Sequence, residues 1–291
     1  MKKKIPLAIV YDFDGTLAPG NMQERDFIPA IRMKTNKFWN EVAEESKKHQ
    51  ADNILVYMKL MLEKAHSSSV KVRESDFKIY GKKLPFFDGV LQYKENNHLE
   101  KGWFDRINDY GKESNVKVEH YIVSSGIREM IRGTSIVKKF SAIYASSFFY
   151  DHHGVAVWPA LAINYTTKTQ YLFRINKGCL DVSDTKEINK YVPEDKRRVP
   201  FTNMIYIGDG ETDIPSFRLV KDRGGYAIAV YKPKTKGAKD KLKNLISDGR
   251  VNFIAQADYK NNSPIDRIVK SLIDKIQTDE YVKGFQINEK K

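Results

Sequence analysis

The chain predicts an α/β fold, a doubly wound and mostly parallel sheet with a helical cap inserted into it. Three observations lead there. Short apolar runs at 5–11, 116–123, 204–207 and 226–230 alternate with helical patterns, the arrangement that builds parallel sheets covered on both faces. About a hundred residues after the first run keep helical spacing without a comparable strand. Three of the runs end in small or acidic residues, and an open parallel sheet holds its ligands outside the carboxyl ends of its strands.

The bulk numbers are compatible with this fold. A chain of 291 residues with 41% hydrophobic and 12% aromatic residues can bury a core in one large or two ordinary domains. A single cysteine, Cys179, excludes an intrachain disulfide and a cysteine-based metal site, and fits a reducing compartment. Lysines precede the first apolar run as in an export signal, but Tyr11 and Asp12 interrupt that run too early for a signal core. No later stretch approaches the roughly 18 apolar residues of a membrane span. The expectation is a cytoplasmic protein. A formal charge of +13 raises the question of a nucleic-acid partner. The lysines are scattered, however, and the same charge would attract an anionic small substrate, so nucleic acid is not the expected partner.

The elements follow in order. Ile5 to Tyr11 is a buried strand that runs into Asp12, Phe13, Asp14, Gly15, Thr16 and Leu17. Ala18, Pro19, Gly20 and Asn21 then form a turn. Helical spacing marks Phe38, Trp39 and Val42; Ile54, Met58, Met61, Leu62 and Ala65; and Leu99, Trp103, Ile107 and Tyr110. Strand character returns at Val116 to Val123, before Ser124, Ser125 and Gly126 and a short helix through Met130 and Ile131. Strands at 142–145, 147–150 and 155–158 follow, the last two making a hairpin about Asp151 to Gly154. Thr166 and Thr167 begin a helix that stops at Gly178, and a weaker helix starts at Ser183 and Asp184. Met204 to Ile207 leads to Gly208, Asp209, Gly210, Glu211, Thr212 and Asp213. Strands at 226–230 and 251–255, a helix at 236–246 between them and an amphipathic helix at 265–276 close the chain. The core is expected at 1–19 and 116–291 and the cap at 20–115.

Two carboxylates at alternate positions of a strand end repel each other and lose hydration, so they need a cation or a catalytic duty. With Ser124 and with Asp209 and Asp213 from other strands, they give an oxygen-rich site suited to Mg2+ and a phosphate. These residues resemble the haloacid dehalogenase-like (HAD) hydrolase superfamily, whose core is Rossmann-like. Asp12 to Leu17 look like its first motif, Ile122, Val123 and Ser124 like its second, and Gly208 to Asp213 like its fourth.

The resemblance implies that Asp12 attacks phosphorus to form an aspartyl phosphate and that Asp14 is the acid and base. It implies that Asp12, the Asp14 carbonyl and Asp209 hold Mg2+, that Ser124 and Ser125 bind the phosphoryl group, and that Asp213 orients the lysine or a metal-bound water. Members that cleave carbon–halogen bonds lack an acid at the position of Asp14, so phosphoryl chemistry is expected. The family's third motif is a lysine. Lys186 has the more usual spacing from Asp209, whereas Lys168 leads a better helix and requires an insertion, for which 181–202 is the candidate; Lys168 is preferred.

The cap's size and position look like those of phosphoserine phosphatases, which implies a small phosphorylated metabolite as substrate. Ser125 departs from the glycine usual there. A phosphomutase or phosphotransferase using the same groups is the alternative, and a nucleic-acid-binding protein with a vestigial site a remoter one. Asn21, Gln23 and Glu24 follow the first motif at the hinge, where one of them could touch substrate. His152 and His153 are expected in an exposed turn, and Trp103 and Trp158 in the core. Neither the physiological substrate nor the oligomeric state is legible.

Overall fold

The computed structural model describes residues 4–288. The first strand, β1 (Ile5–Tyr11), is the middle of a seven-stranded sheet. The chain leaves it through α1 (Met22–Arg25), α2 (Phe27–Ala30), α3 (Thr35–His49), α4 (Asn53–Ser67) and α5 (Glu74–Lys82), then a small hairpin, β2 (Tyr93–Glu95) and β3 (His98–Glu100). Helix α6 (Trp103–Glu113) leads back to β4 (Val116–Ile127), followed by α7 (Arg128–Gly133), β5 (Phe140–Tyr150) and β6 (Ala156–Leu161). The second half runs α8 (Lys168–Lys177), α9 (Thr185–Asn189), β7 (Met204–Gly208), α10 (Ile214–Asp222), β8 (Tyr226–Tyr231), α11 (Ala238–Ser247), β9 (Phe253–Gln256) and α12 (Pro264–Asn288).

Strand order is β6-β5-β4-β1-β7-β8-β9, parallel throughout except for the antiparallel edge strand β6. The expected mostly parallel, doubly wound sheet is therefore present. Residues of β1 alternate between its two faces: Leu7, Ile9 and Tyr11 join one apolar cluster with α6 and α12, and Ala8 and Val10 join another with α8, α10 and α11. A strand covered on both sides has no polar face, which is why it reads as a continuous apolar run.

Register places the site. Tyr11 pairs with Ile122 of β4 on one side and Ile207 of β7 on the other. Asp12, Ser124 and Asp209 consequently lie at nearly the same level, on strands about 4.8 Å apart, with Ser124 still inside β4 and paired with Ala145 of β5.

Within 20–115, α3 and α4 pack together, with Trp39 against Tyr57 at 5.8 Å between ring centroids. Helix α5 lies on α7 so closely that a Cβ at Gly81 would stand 1.9 Å from the Met130 carbonyl oxygen. Helix α6 behaves differently: it runs along β4 and is tied to α12 by Arg106–Asp266 at 3.1 Å and Tyr110–Asp274 at 2.8 Å. The strands expected at 142–145 and 147–150 are one strand, β5. Trp103 is buried and His152 and His153 are exposed, as expected, but Trp158 is 70% exposed because it sits on the outer edge strand. Among the described residues no helix is long and apolar enough to cross a membrane.

Candidate active site

Asp12 continues β1 by one residue, and its amide still donates to the Ile207 carbonyl at 2.9 Å. The carboxylate is buried, 5% exposed, with Oδ1 accepting from the Phe13 amide at 2.7 Å and Oδ2 facing Lys168 Nζ at 3.1 Å. Both oxygens are therefore held in fixed directions. Asp14 lies across the turn, where its Oδ1 accepts from the Met22 amide at 3.0 Å. Gly15 makes this turn with φ of 71°, and a Cβ there would stand 1.9 Å from Asp209 Oδ2. Only glycine allows both the left-handed backbone and that approach. The Tyr259 hydroxyl fixes the loop from behind by donating to the Thr16 carbonyl at 2.8 Å.

Lys168, the first residue of α8, is fully buried. Its ammonium bridges Asp12 and Asp213, reaching Asp213 Oδ1 at 2.7 Å. Burial alone would lower its pKa, but the two carboxylates outweigh burial and hold it well above the usual lysine range. Lys186 is exposed on α9, behind an Asp184 cap, and takes no part. The structure thus brings Lys168, and not its rival, to the site.

Asp213 is saturated. Oδ1 also accepts from the Tyr206 hydroxyl at 2.7 Å, and Oδ2 accepts from the amides of Asp209 at 3.1 Å and Gly210 at 3.4 Å. Although Asp12, Asp209 and Asp213 offer oxygens within 4.8 Å of one another, the engaged lone pairs of Asp213 suit it to orienting Lys168 and the 209–210 turn. Ser124 is buried and its Oγ accepts from the Gly126 amide at 3.1 Å. Ser125 is half-buried, and its carbonyl accepts from the Tyr57 hydroxyl of the cap helix α4 at 2.6 Å.

The electrostatics ask for a cation. Burial pushes the carboxyls of Asp12, Asp14 and Asp209 upward, neighbouring carboxylates push them further, and Lys168 opposes all three shifts. Four carboxylates, counting Asp213, face one ammonium in this site. The available donors are hard oxygens at a strand end, so they fit a small divalent ion such as Mg2+.

A family model for haloacid dehalogenase-like hydrolases matches residues 9–218. The chain belongs to that family. A protein of Borreliella burgdorferi described only as uncharacterized is 30% identical over 287 residues, covering 89% of this chain and 93% of its own. Two solved structures share the fold: a HAD family hydrolase of Salmonella enterica serovar Typhi and a phosphoserine phosphatase captured as a phospho-aspartyl intermediate analogue. The first has a TM-score of 0.55 and 13% identity, covering 91% of this chain and 71% of that one. The second has a TM-score of 0.52 and 13% identity, covering 92% and 99%. Identities this low carry the fold and no more.

Several residues that build this HAD site lay outside the sequence expectation. Tyr206 sits one strand residue before Ile207, where it read as part of an apolar run, yet its hydroxyl serves Asp213. Tyr57 lies among helical-spaced packing residues, and only its hydroxyl on an otherwise apolar face hints at the contact with Ser125. Of the hinge residues, Gln23 is buried, Asn21 is exposed, and Glu24 accepts from Trp39 Nε1 at 2.8 Å.

Proposed function

We propose that the protein is a Mg2+-dependent phosphatase that hydrolyses a small phosphorylated metabolite through an aspartyl phosphate on Asp12. The observation that carries this reading is the buried Asp12 carboxylate held 3.1 Å from Lys168, with Asp14 two residues further on the same turn. A nucleophile must be ionised, and Lys168 favours that state against the burial that opposes it. In the first step an Asp12 oxygen attacks phosphorus in line, the ester P–O bond breaks, and the leaving oxygen takes a proton from Asp14. Asp14, whose carboxyl is pushed well up by burial and by Asp12, is suited to carry that proton.

In the second step the Asp14 carboxylate takes a proton from water as it attacks the acyl phosphate, and phosphate and Asp12 are released. Ser124, Ser125 and Lys168 would bind the phosphoryl oxygens. Asp12, Asp209 and the Asp14 carbonyl would hold Mg2+, which supplies positive charge against the carboxylates and the phosphoryl group. Asp213 keeps Lys168 aimed. The cap in this reading is 20–115 less α6, and its closure keeps bulk water from the acyl phosphate.

Phosphate release from a panel of phosphorylated metabolites with Mg2+ tests the reading, with Asp12→Asn as control and chelation as a second control. Sustained release that requires Asp12 and Mg2+ supports it. Equal activity of the Asp12→Asn protein would overturn it, and a single stoichiometric burst followed by transfer back to substrate would mark a mutase instead.

A further inference from the structure

The end of the sheet opposite Asp12 carries a cleft that the mechanism above leaves unused. It lies at the amino ends of β1 and β7, about 23 Å from Asp12 along β1 at 3.3 Å per residue, and has a volume of about 1900 Å³. Pro6 and Phe201 line it with the cations Arg197, Arg198 and Arg223. The end of α12 lines it as well. Beyond Ile276, the last buried residue of that helix among those described, α12 runs on for twelve residues to Asn288. Tyr281 and Phe285, one turn apart on this extension with ring centroids 5.0 Å from each other, both line the cleft and are 64% and 56% exposed. Gly284 lines it between them, and a Cβ there would meet nothing within 4 Å.

A helix end that has left its own core gains nothing from exposed aromatic rings, and glycine inside a helix is disfavoured against alanine. The two together describe a contact face. Glycine lets a second backbone approach closely, and the rings on either side supply apolar area. The cleft sets the size of what comes there. A helix of twelve residues is about 18 Å long and about 10–12 Å across, which is about 1,400–2,000 Å³ and matches the cleft. The α12 extension is itself a helix of that length. Asp279 and Glu280 give it acidic groups beside Tyr281, opposite in sign to the arginines of the cleft, and such rim charges set the register of a contact more than its strength.

We propose that a second copy of this chain fills the cleft: two molecules cross their α12 ends at Gly284 about a two-fold axis, and each places Tyr281 and Phe285 in the cleft of the other. Ridge and cleft lie on one surface, so a single two-fold operation satisfies both at once, the condition for an isologous contact. The 23 residues that line the cleft fall within the 20–30 a side of a stable interface. Both candidate active sites stay open, since they lie at the other end of their sheets. The inference is independent of the phosphatase reading.

Sedimentation velocity of the full chain between about 1 and about 100 µM, where interfaces of this size associate or are already complete, reads the mass directly. The expected species is a dimer of the 33.6 kDa chain. Tyr281→Lys combined with Phe285→Lys should weaken it by about a hundredfold or more, since it would bury a charge on each ring position. Gly284→Leu should do the same by filling the crossing point. Because leucine favours the helix over glycine, a dimer lost in that variant is not lost through a melted helix. Gly284→Cys in a Cys179→Ser background should cross-link to the dimer on mild oxidation, as its two copies meet at the axis. A wild-type monomer over the whole range overturns the proposal. So does a dimer that persists in both the double lysine variant and Gly284→Leu, or one that the cysteine at 284 fails to cross-link.

Discussion

The Asp12–Lys168–Asp213 triad concentrates the molecule's electrostatic risk in three side chains. An ammonium buried between two carboxylates is worth little more than a well-packed apolar group, but removing it strands both partners. Lys168→Ala is therefore expected to lose nearly all turnover and about 3 kcal/mol of stability by urea denaturation. Lys186→Ala should change neither, staying within about 0.5 kcal/mol as exposed substitutions do. Near-normal turnover in the Lys168 variant would return the role to Lys186. The carboxylates were legible in the sequence because acidic residues at the end of an apolar run carry a cost that something must offset. The choice of lysine was less so, since sequence spacing measures chain length and α9 with its neighbouring turns is absorbed on the surface without moving Lys168. Tyr206 and Tyr57 were not legible, because a tyrosine's ring obeys the apolar pattern while its hydroxyl does the work.

At the scale of elements, one residue both starts α4 and ties it to the segment before α8. Asp52 caps α4 through Oδ1, which accepts from the amides of Ile54 at 2.9 Å and Leu55 at 3.1 Å, while Oδ2 accepts from Asn164 Nδ2 at 2.7 Å. The second contact straps the cap helix to the turn just before Lys168. Asp52→Ala should cost about 1 kcal/mol from the lost cap and also raise KM, whereas Asn164→Ala should alter KM with a smaller effect on α4. Identical effects on KM and stability in the two variants would show that the strap plays no separate part. Helix α6 is joined to the sheet by a buried relay: Trp103 Nε1 donates to the Tyr11 hydroxyl at 2.8 Å, and His120 meets Tyr11 through Nδ1 at 3.0 Å and Asn108 through Nε2 at 3.2 Å.

Burial holds the His120 imidazole down, to about 3, with Asp105 and Lys139 acting in opposite directions. The unfolded chain binds a proton there near pH 6.5, while the native protein does not. Its contribution is thus complete above pH 6.5 and is lost as pH falls toward 3, by up to about 1.4 kcal/mol per unit. Urea midpoints at pH 7 and pH 5 should fall further in the wild-type protein than in His120→Gln; equal falls would place the pH sensitivity elsewhere. Periodicity in the sequence located these helices. It could not show that α6 belongs with the sheet and not with α3 and α4, since an amphipathic stripe says that a face is buried and not against what.

Over the whole molecule, a chain of net charge +13 surrounds a site in which carboxylates outnumber ammonium groups. The two signs act at different ranges. Carboxylates at the base of the site call for a cation at contact distance, while the outer charge is felt by a phosphate ester still in solution. Part of that outer charge lies on the sheet edge that carries the site: Lys232, Lys234, Lys236 and Lys239 are exposed on the turn and helix start that follow the carboxyl end of β8. Strand β8 is two places from β1, so its end lies about 10 Å from the strand that leads into Asp12. That is near the screening length of about 8 Å at physiological ionic strength, so these lysines act on an arriving dianion in dilute salt and lose most of their reach in concentrated salt. With the phosphatase reading, kcat/KM for a dianionic ester should fall several-fold between about 0.01 M and about 0.15 M salt, while kcat changes little. Replacing Lys232, Lys234 and Lys236 together by Gln should lower kcat/KM at low salt and flatten its salt dependence. A salt slope that survives this triple replacement would assign the steering to the remaining surface charge, whereas its loss would make the β8 turn the approach by which an anionic substrate reaches Asp12.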